Sequence, residues 1–398
     1  MNHLLLTLSP PPVRRLLKPG IFALALAASF GAACSSRSAG SLDEVASEEV
    51  NFQVVRVAEN LERPWGMVFL ADGGILVTER PGRMQILRNG ERTRVSGLPV
   101  VTASGQGGLM DVILHPDFED NRWVYFSYSA EFDGGLGTKV SRARLDGESL
   151  TELEDIFRMD PPGSGGRHFG SRLAFDSDGY LFITIGDRSD RHRAQELNSH
   201  HGTLLRVHDD GSAPEDNPFV GDENAHPEIY SYGHRNARGM HYDAETGVLW
   251  LHEHGPRGGD ALNYAQAGAN YGWPRATYGE EYRGGEIGTT PDQLDDVVTP
   301  VLHWTPSIAA SGLTVYRGEK FPEWQGNLFA GALAQQHIRR VVLDGKEVVH
   351  QEELLRGEFG RIRTVVTGPD GYLWFTTDER NGGIYRIESI GNEGIGER

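Results

Sequence analysis

One cysteine in 398 residues leaves no partner for an internal disulfide, so no covalent staple holds this chain together. Basic residues are also scarce. There are 38 Lys and Arg against 56 Asp and Glu, a formal net charge of −18. That balance argues against a nucleic-acid surface, which needs clustered cations, and against electrostatic binding to anionic lipid. A bilayer-length apolar run is missing too: the run from Ile21 to Phe30 has ten residues, too few for a spanning helix. From Asn51 onward no long segment carries its apolar residues at the 3.6-residue period of a helix. Nor is there a P-loop, a Gly-x-Ser-x-Gly elbow, a His-Glu-x-x-His zinc motif or a Rossmann fingerprint, which disfavours a nicotinamide enzyme.

The amino terminus reads as an address. Arg14, Arg15 and Lys18 precede the apolar run, and Gly31-Ala-Ala33 follows it. That is the order of an export signal. The lone cysteine, Cys34, comes next, where bacterial lipoproteins carry their lipid-modified cysteine, although Gly31 stands where that motif favours leucine. The expected organisation is an export signal over 1–34 ending at Cys34, a flexible polar tether over 35–50, a folded domain over 51–390 and a tail over 391–398. The protein is then exported, periplasmic, and attached to a membrane through a lipid on Cys34 alone. Ordinary cleavage beside an incidental cysteine is the plainer alternative.

Glycine is abundant, with 51 residues, and it marks a repeat. Six pairs of β-rich runs flank turns near Gly73, Asn121, Gly179, Gly247, Asn327 and Gly371, spaced 44 to 80 residues apart. A four-stranded propeller blade takes roughly 40–50 residues, and insertions stretch it. The predicted fold is all-β: a six-bladed β-propeller of four-stranded antiparallel sheets. Phe52-Gln-Val-Val-Arg-Val57 is a lone alternating strand ahead of the first repeat. It is expected to complete the last blade beside Gly383-Ile-Tyr-Arg-Ile387, leaving no open edge. A two-sheet sandwich is the alternative, but the domain is long for one. Insertions over 188–228 and 274–300 are expected to form loops of one face.

Polar, glycine-rich segments punctuate the strands. Gly163-Ser-Gly-Gly-Arg-His-Phe-Gly-Ser-Arg172 wraps His168 in glycines, which let backbone approach a flat ligand closely. Others are Gly105-Gln-Gly-Gly108, Gly233-His-Arg-Asn-Ala-Arg-Gly239, His252-Glu-His-Gly-Pro-Arg-Gly-Gly-Asp260 and Gly360-Arg-Ile-Arg363. Each has an ordinary explanation. A single histidine is more often structural than catalytic, Arg361 and Arg363 share one strand face that is usually solvated, and Gly255-Pro256 is first a turn. The Asp-rich loop 209–216 binds calcium less often than it is simply a loop. What counts is the coincidence, because equivalent segments of successive blades converge near a propeller axis.

Taken in order, these segments resemble the PQQ-dependent soluble sugar dehydrogenases, the glucose/sorbosone dehydrogenase-like family, and most closely its aldose sugar dehydrogenase branch. The resemblance runs from about Leu61 to Ile387. It rests on Arg63-Pro-Trp-Gly66, Gly105-Gln-Gly-Gly-Leu109, Ile183-Thr-Ile-Gly-Asp187, Ser231-Tyr-Gly-His-Arg-Asn236, Glu253-His-Gly-Pro-Arg-Gly-Gly-Asp260, Asn270-Tyr-Gly-Trp-Pro274, Gly331-Ala-Leu333 and Gly368-Pro-Asp-Gly371. It implies a six-bladed propeller that oxidises the anomeric carbon of aldoses to lactones, with PQQ and Ca2+ as cofactors and an external acceptor, a cytochrome or quinone. His168 matches the family's general base. Arg235 and Asn236 match cofactor contacts beside the reacting oxygen, and Arg235 would stabilise its developing charge. Gln106 matches another cofactor contact, and Arg361 with Arg363 the pair that grips the cofactor carboxylates. The carbonyls of Gly255 and Pro256 match calcium ligands, and Tyr271 matches a tyrosine at a second, structural calcium.

Three positions depart from that pattern. Ala334 stands where the family has a lysine contact to PQQ. Ala261 follows Asp260 where the aldose branch has an acidic calcium ligand. Arg167 precedes His168 where the soluble glucose enzymes carry aspartate. Two other functional classes remain open at this level. One is a calcium-dependent, lactonase-like propeller hydrolase, which needs an acidic cage on the axis. The other is a non-catalytic sugar- or protein-binding propeller, which the alanine at 334 keeps in play.

Overall fold

A computed structural model describes residues 41–390. The expected signal over 1–34, Cys34, the start of the tether and the tail over 391–398 lie outside them. Among the described residues, no helix is long and apolar enough to cross a membrane.

Six antiparallel sheets follow one another along the chain, five of four strands and one of five. Blade 1 runs Pro64–Phe69, Ile75–Glu79, Arg83–Arg88, Glu91–Arg94. Blade 2 runs Leu109–Leu114, Trp123–Phe132, Gly135–Asp146, Ser149–Arg158. Blade 3 runs Leu173–Phe175, Leu181–Ile185, Thr203–Val207, Ile229–Tyr232. Blade 4 runs Ala237–Asp243, Val248–Glu253, Asp260–Tyr264, Leu302–Trp304, and blade 5 runs Ala310–Val315, Leu328–Ala332, His337–Asp344, Glu347–Leu354. Each first strand touches the first strand of the next blade, and that of blade 6 touches that of blade 1. The ring is therefore closed. All six turns read from the sequence are the hairpins between first and second strands, where the pattern is strongest because both strands are buried.

Blade 6 joins the two ends of the domain. Its strands Ile362–Thr367, Leu373–Thr377 and Gly382–Ser389 are completed by Asn51–Leu61, with Phe52 opposite Ser389 and Val54 opposite Ile387. This is the predicted closure. Phe52 is fully buried and meets Trp324 of the blade 5 region edge-on at 5.7 Å.

Two expectations need correction. The tether over 35–50 is not free throughout, because Leu42–Ala46 pairs with Asn51–Leu61 and adds a fifth strand to blade 6. Its polar sequence conceals a strand whose Leu42 and Val45 settle on the aromatic core of blades 5 and 6. Nor is 188–228 a single insertion. Thr203–Val207 lies inside it and forms the third strand of blade 3, its Leu204, Leu205 and Val207 fully buried.

The axis itself is polar. Arg172, just before the first strand of blade 3, reaches three other blades. Its Nη1 donates to Asp111 Oδ1 of blade 2 at 3.1 Å and its Nε to the Arg238 carbonyl of blade 4 at 2.8 Å. Its Nη2 donates to the Arg363 carbonyl and to Thr364 Oγ1 of blade 6, both at 3.1 Å. Asp111 Oδ2 accepts the Leu173 amide at 3.0 Å, which satisfies the other half of the pair.

Closure through blade 6 makes a definite demand on Phe52. Phe52→Ala is expected to lower unfolding free energy by about 3–5 kcal/mol, the range for truncating a buried aromatic. Urea unfolding of the folded domain measures this, and an unchanged midpoint would contradict the closing role of the strand.

Candidate active site

In an antiparallel blade the start of the first strand and the end of the second lie at the same end of the sheet. Nearly every residue singled out from the sequence sits there. Gln106, His168, Arg235 with Asn236, and Arg361 precede the first strands of blades 2, 3, 4 and 6. Arg363 is the second residue of its strand, while Gly255 and Pro256 follow the second strand of blade 4. Residues scattered over more than 250 positions are thereby gathered at one rim of the ring.

His168 is held from several sides. Its backbone takes a left-handed φ of 52°, which costs a non-glycine residue about 1–2 kcal/mol and must be enforced by its surroundings. Gln106 Oε1 accepts its amide at 3.0 Å. Behind it lies Arg188, buried with its guanidinium 3.4 Å above the Phe169 ring and donating to the carbonyls of Leu136, Gly165 and Arg167. Two glycines of this segment serve protein packing, whereas Gly165 has open space beside it. A Cβ on Gly163 would fall 2.6 Å from the Arg188 side chain, and one on Gly170 2.6 Å from the Thr184 carbonyl.

The imidazole is oriented by Asp187, which no sequence argument assigned a role. His168 Nδ1 lies 2.6 Å from Asp187 Oδ1. The other carboxylate oxygen accepts the indole N–H of Trp273 at 2.7 Å, and Oδ1 also takes the Ser189 amide at 2.7 Å. Asp187 is buried, which disfavours its charge, yet the His168 bond and nearby Arg235 bring its carboxyl below the ordinary range. An ionised Asp187 can only accept, so Nδ1 carries the proton and Nε2 keeps its lone pair. Burial is the main influence on His168 and lowers its pKa. Asp187 pulls it back up, and Arg235 and Arg238 push it down again. A neutral imidazole with a free Nε2, 12 % exposed, is what a general base requires. It faces a cleft of about 510 Å³ whose walls include Gln106, Arg167, Arg235, Pro256 and Trp273.

Arg235 lies on the blade 4 side of this cleft. Its Nη1 donates to the carbonyls of His254 at 3.0 Å and Gly255 at 2.7 Å, and Glu253 Oε2 accepts its amide. Asn236 Oδ1 takes the Gly170 amide at 3.1 Å, tying this turn to the His168 segment. Across the axis stands a second group, on blades 6 and 1. Arg363 Nη2 meets Asp378 Oδ2 at 2.6 Å, Arg63 approaches the other oxygen at 3.4 Å, and Arg361 Nε lies at 3.6 Å. Burial works against ionisation of Asp378, but Arg363, Arg80 and Arg361 together hold its carboxyl at about 2. Arg63, Arg80, Arg238, Asp187, Trp273 and Asp378 also belong to the site, and the sequence assigned none of them a role. For Asp187 and Trp273 the signal was present, in Ile183-Thr-Ile-Gly-Asp187 and Asn270-Tyr-Gly-Trp-Pro274. Arg63 and Arg238 also stand in distinctive segments, Arg63-Pro-Trp-Gly66 and Gly233-His-Arg-Asn-Ala-Arg-Gly239, but only the ring brings them together with Arg80.

These residues suit a polyanion. Six guanidiniums (Arg63, Arg80, Arg235, Arg238, Arg361, Arg363) face three carboxylates (Asp187, Glu253, Asp378). The Nε donors of Arg235, Arg238 and Arg363 and the Asn236 amide are buried without partners. Acceptor atoms of an anionic ligand would complete them. For a cation the protein offers the carbonyls of Gly255 and Pro256, the former with one lone pair committed to Arg235. Six to eight oxygens surround calcium, so the rest of its shell must come from ligand and water. Tyr271 has its hydroxyl engaged within the protein. Its hydroxyl donates to the Tyr264 carbonyl at 2.6 Å and accepts the Gln266 amide at 3.1 Å, while its ring stacks on His234 at 4.3 Å. The tyrosine hydroxyl is thus a structural tie. Among the described residues, His200, His226 and Glu228 have metal-ligand spacing. There, however, the Asp160 amide donates to His200 Nδ1 at 2.8 Å, so Nε2 bears the proton and donates to Glu228 at 2.8 Å. That arrangement is a hydrogen-bonded pair rather than a cage.

A six-bladed propeller carrying a histidine–aspartate pair and an arginine-rich rim defines the class of protein. The glucose/sorbosone dehydrogenase family matches residues 61–386, and the chain belongs to that family, an enzyme of the sugar dehydrogenase class. It is 43 % identical over 348 residues to aldose sugar dehydrogenase YliI of Escherichia coli, covering 85 % of this chain and 92 % of that one. The apo soluble aldose sugar dehydrogenase of Escherichia coli superposes with a TM-score of 0.83 at 41 % identity, over 85 % of this chain and 99 % of the other. A PQQ-bound aldose sugar dehydrogenase from Streptomyces coelicolor superposes with a TM-score of 0.69 at 29 % identity, over 84 % and 98 %.

Burial makes acid the weak side of this fold. Burial lowers the pKa of His115, His168, His200, His201, His241, His252, His254 and His337 alike, to about 4 for His201, His241, His252 and His337. The unfolded chain, with imidazoles near 6.5, binds more protons between those values, so stability rises with pH there. The contribution is complete above pH ~6.5 and is lost as pH falls through the depressed values. Melting temperatures measured from pH 8 to 4 should be level at first and then fall steeply below pH ~6.5. A flat profile would mean these rings are not held neutral.

Proposed function

We propose that the protein is a PQQ- and calcium-dependent aldose dehydrogenase. The observation that carries this reading is His168, neutral and oriented by Asp187, facing a cleft beside an excess of arginine. A flat triacid long enough to span the axis would meet Arg235 and Asn236 at one end and Arg361, Arg363, Arg63 and Arg80 at the other. When bound, PQQ supplies a quinone that accepts a hydride from the anomeric carbon.

The chain's own residues perform the rest. His168 Nε2 takes the proton of the anomeric hydroxyl, and Asp187 stabilises the imidazolium that results. Loss of that proton and of the hydride turns the aldose into a lactone. Gln106 and Arg188 keep the ring in place while its charge changes. Arg235 puts a positive charge where negative charge grows on the ligand. Gly255 and Pro256 offer carbonyls to a calcium that would share the ligand. The carboxylate-rich axis that a calcium-dependent hydrolase needs is replaced here by arginine. Electrons then leave to an external cytochrome or quinone. The sequence pattern over 1–34, read as an export signal ending at Cys34, supports the proposal of a periplasmic, lipid-anchored enzyme.

Apo-protein supplied with PQQ and calcium is expected to reduce a dye acceptor when given aldoses. Replacing His168 by glutamine should leave the bound-PQQ spectrum in place while turnover falls roughly 10²–10⁴-fold, the contribution of a general base. No PQQ spectrum and no activity across a broad aldose panel would refute the proposal.

A further inference from the structure

The axis carries three buried arginines, and two of them have a carboxylate. Arg172 pairs with Asp111 at 3.1 Å, and Arg363 with Asp378 at 2.6 Å. Arg238, only 2 % exposed, has none among the described residues. Among the described residues its side chain makes one hydrogen bond, a long one of 3.5 Å from Nη1 to the Gly170 carbonyl, and its Nε has no partner. The surroundings add to its isolation, because Arg363, Arg172 and Arg80 all repel it and only Asp378 attracts it from a distance.

Its position is built rather than accidental. The first strand of blade 4 is irregular between Ala237 and Gly239, so Arg238 is the residue the ladder skips, and such a bulge re-aims a side chain. Arg172 Nε holds the Arg238 carbonyl at 2.8 Å. The Arg238 guanidinium then lies across the axis, 5.3 Å from the Trp65 ring of blade 1 and beside the Gly170 carbonyl next to the His168 segment. It sits between the two halves of the site, near enough to His168 on one side and Asp378 on the other to influence both. A buried, unpaired charge is among the costliest features a fold can keep.

We propose that Arg238 is the floor of the cofactor site, a guanidinium whose counter-ion is the carboxylate-bearing quinone itself. This assignment rests on the quinoprotein reading and goes beyond it. It names a residue outside the Arg361 and Arg363 pair, and it supplies a cation to a site that has Ala334 in place of a lysine. The apo-protein is held less stable than its packing allows, and the bound anion relieves that strain. Affinity for the cofactor and instability of the empty protein share one cause.

The full chain and its R238Q, R238M and R238K variants test this through melting temperature without ligand and with PQQ plus calcium, alongside absorbance titration with PQQ. R238Q and R238M should melt about 2–4 °C higher than wild type when empty. They should bind PQQ roughly tenfold or more weakly and gain less from it on melting, as befits loss of a charged hydrogen bond. R238K, which keeps the charge, should stay near wild type in PQQ affinity. If the neutral variants melt lower when empty, or bind PQQ as wild type does, Arg238 is structural and the assignment fails alone. If wild type takes up no PQQ at all, the quinoprotein reading fails and carries this assignment with it.

Discussion

The interaction on which the rest depends is the one Arg172 makes at the axis. A propeller has little to hold its blades in phase except contacts between neighbouring sheets and whatever fills the middle. Here one guanidinium spends its donors on blades 2, 4 and 6 while its backbone belongs to blade 3. Asp111 neutralises it and accepts the next amide in turn. A buried ion pair of this kind is not strongly stabilising by itself, since desolvation offsets much of the attraction. Its effect is on geometry, because a planar fork has fixed bond directions. Four blades are set against one another by a single rigid group, and the same residue ends the segment that carries His168.

Above that layer the balance of charge reverses. The whole protein is strongly acidic, with a net charge of −18, yet its rim at the axis collects arginines beyond the carboxylates that could neutralise them. Local concentration against the global charge is what selective capture of an anion requires, and surface acid elsewhere keeps the protein soluble. Asp378 organises one half of this rim by gathering Arg63, Arg361 and Arg363 around a single carboxylate. Asp187 organises the other half by fixing His168 and accepting Trp273. The two acids have different effects. Asp378 places cations, whereas Asp187 decides which imidazole nitrogen is free.

The His168 segment shows why glycine counts are ambiguous. In sequence, glycines around a histidine suggest room for a ligand. In the folded protein part of that room is taken by the protein itself, by the Arg188 stem against Gly163 and the Thr184 carbonyl against Gly170, while Gly165 stays open. The glycines matter because they let a tight loop be stapled from behind, which forces His168 into a left-handed backbone. Access for a ligand comes instead from the cleft on the opposite side of the ring.

The sequence by itself determined the repeat, the closure and the family. Hairpins between buried strands read as paired apolar runs around a glycine or asparagine turn, and Phe52 to Val57 had no partner except the last blade, so six blades and their join were legible. So were His168, Arg235, Arg361 and Arg363, which lie in distinctive motifs. The strand at Leu42–Ala46 and the one at Thr203–Val207 were not, because one is polar and edge-bound and the other is hidden between long loops. Only the tertiary structure decided how the charges are apportioned. Arg172 and Arg238 look alike along the chain, each an arginine within two residues of a glycine at the start of a blade's first strand. Asp111 reaches Arg172 and, among the described residues, no acid reaches Arg238, since pairing depends on which blade faces which across the axis. That distinction between a satisfied arginine and a stranded one is set by distances in the closed ring, and local sequence carries no record of it.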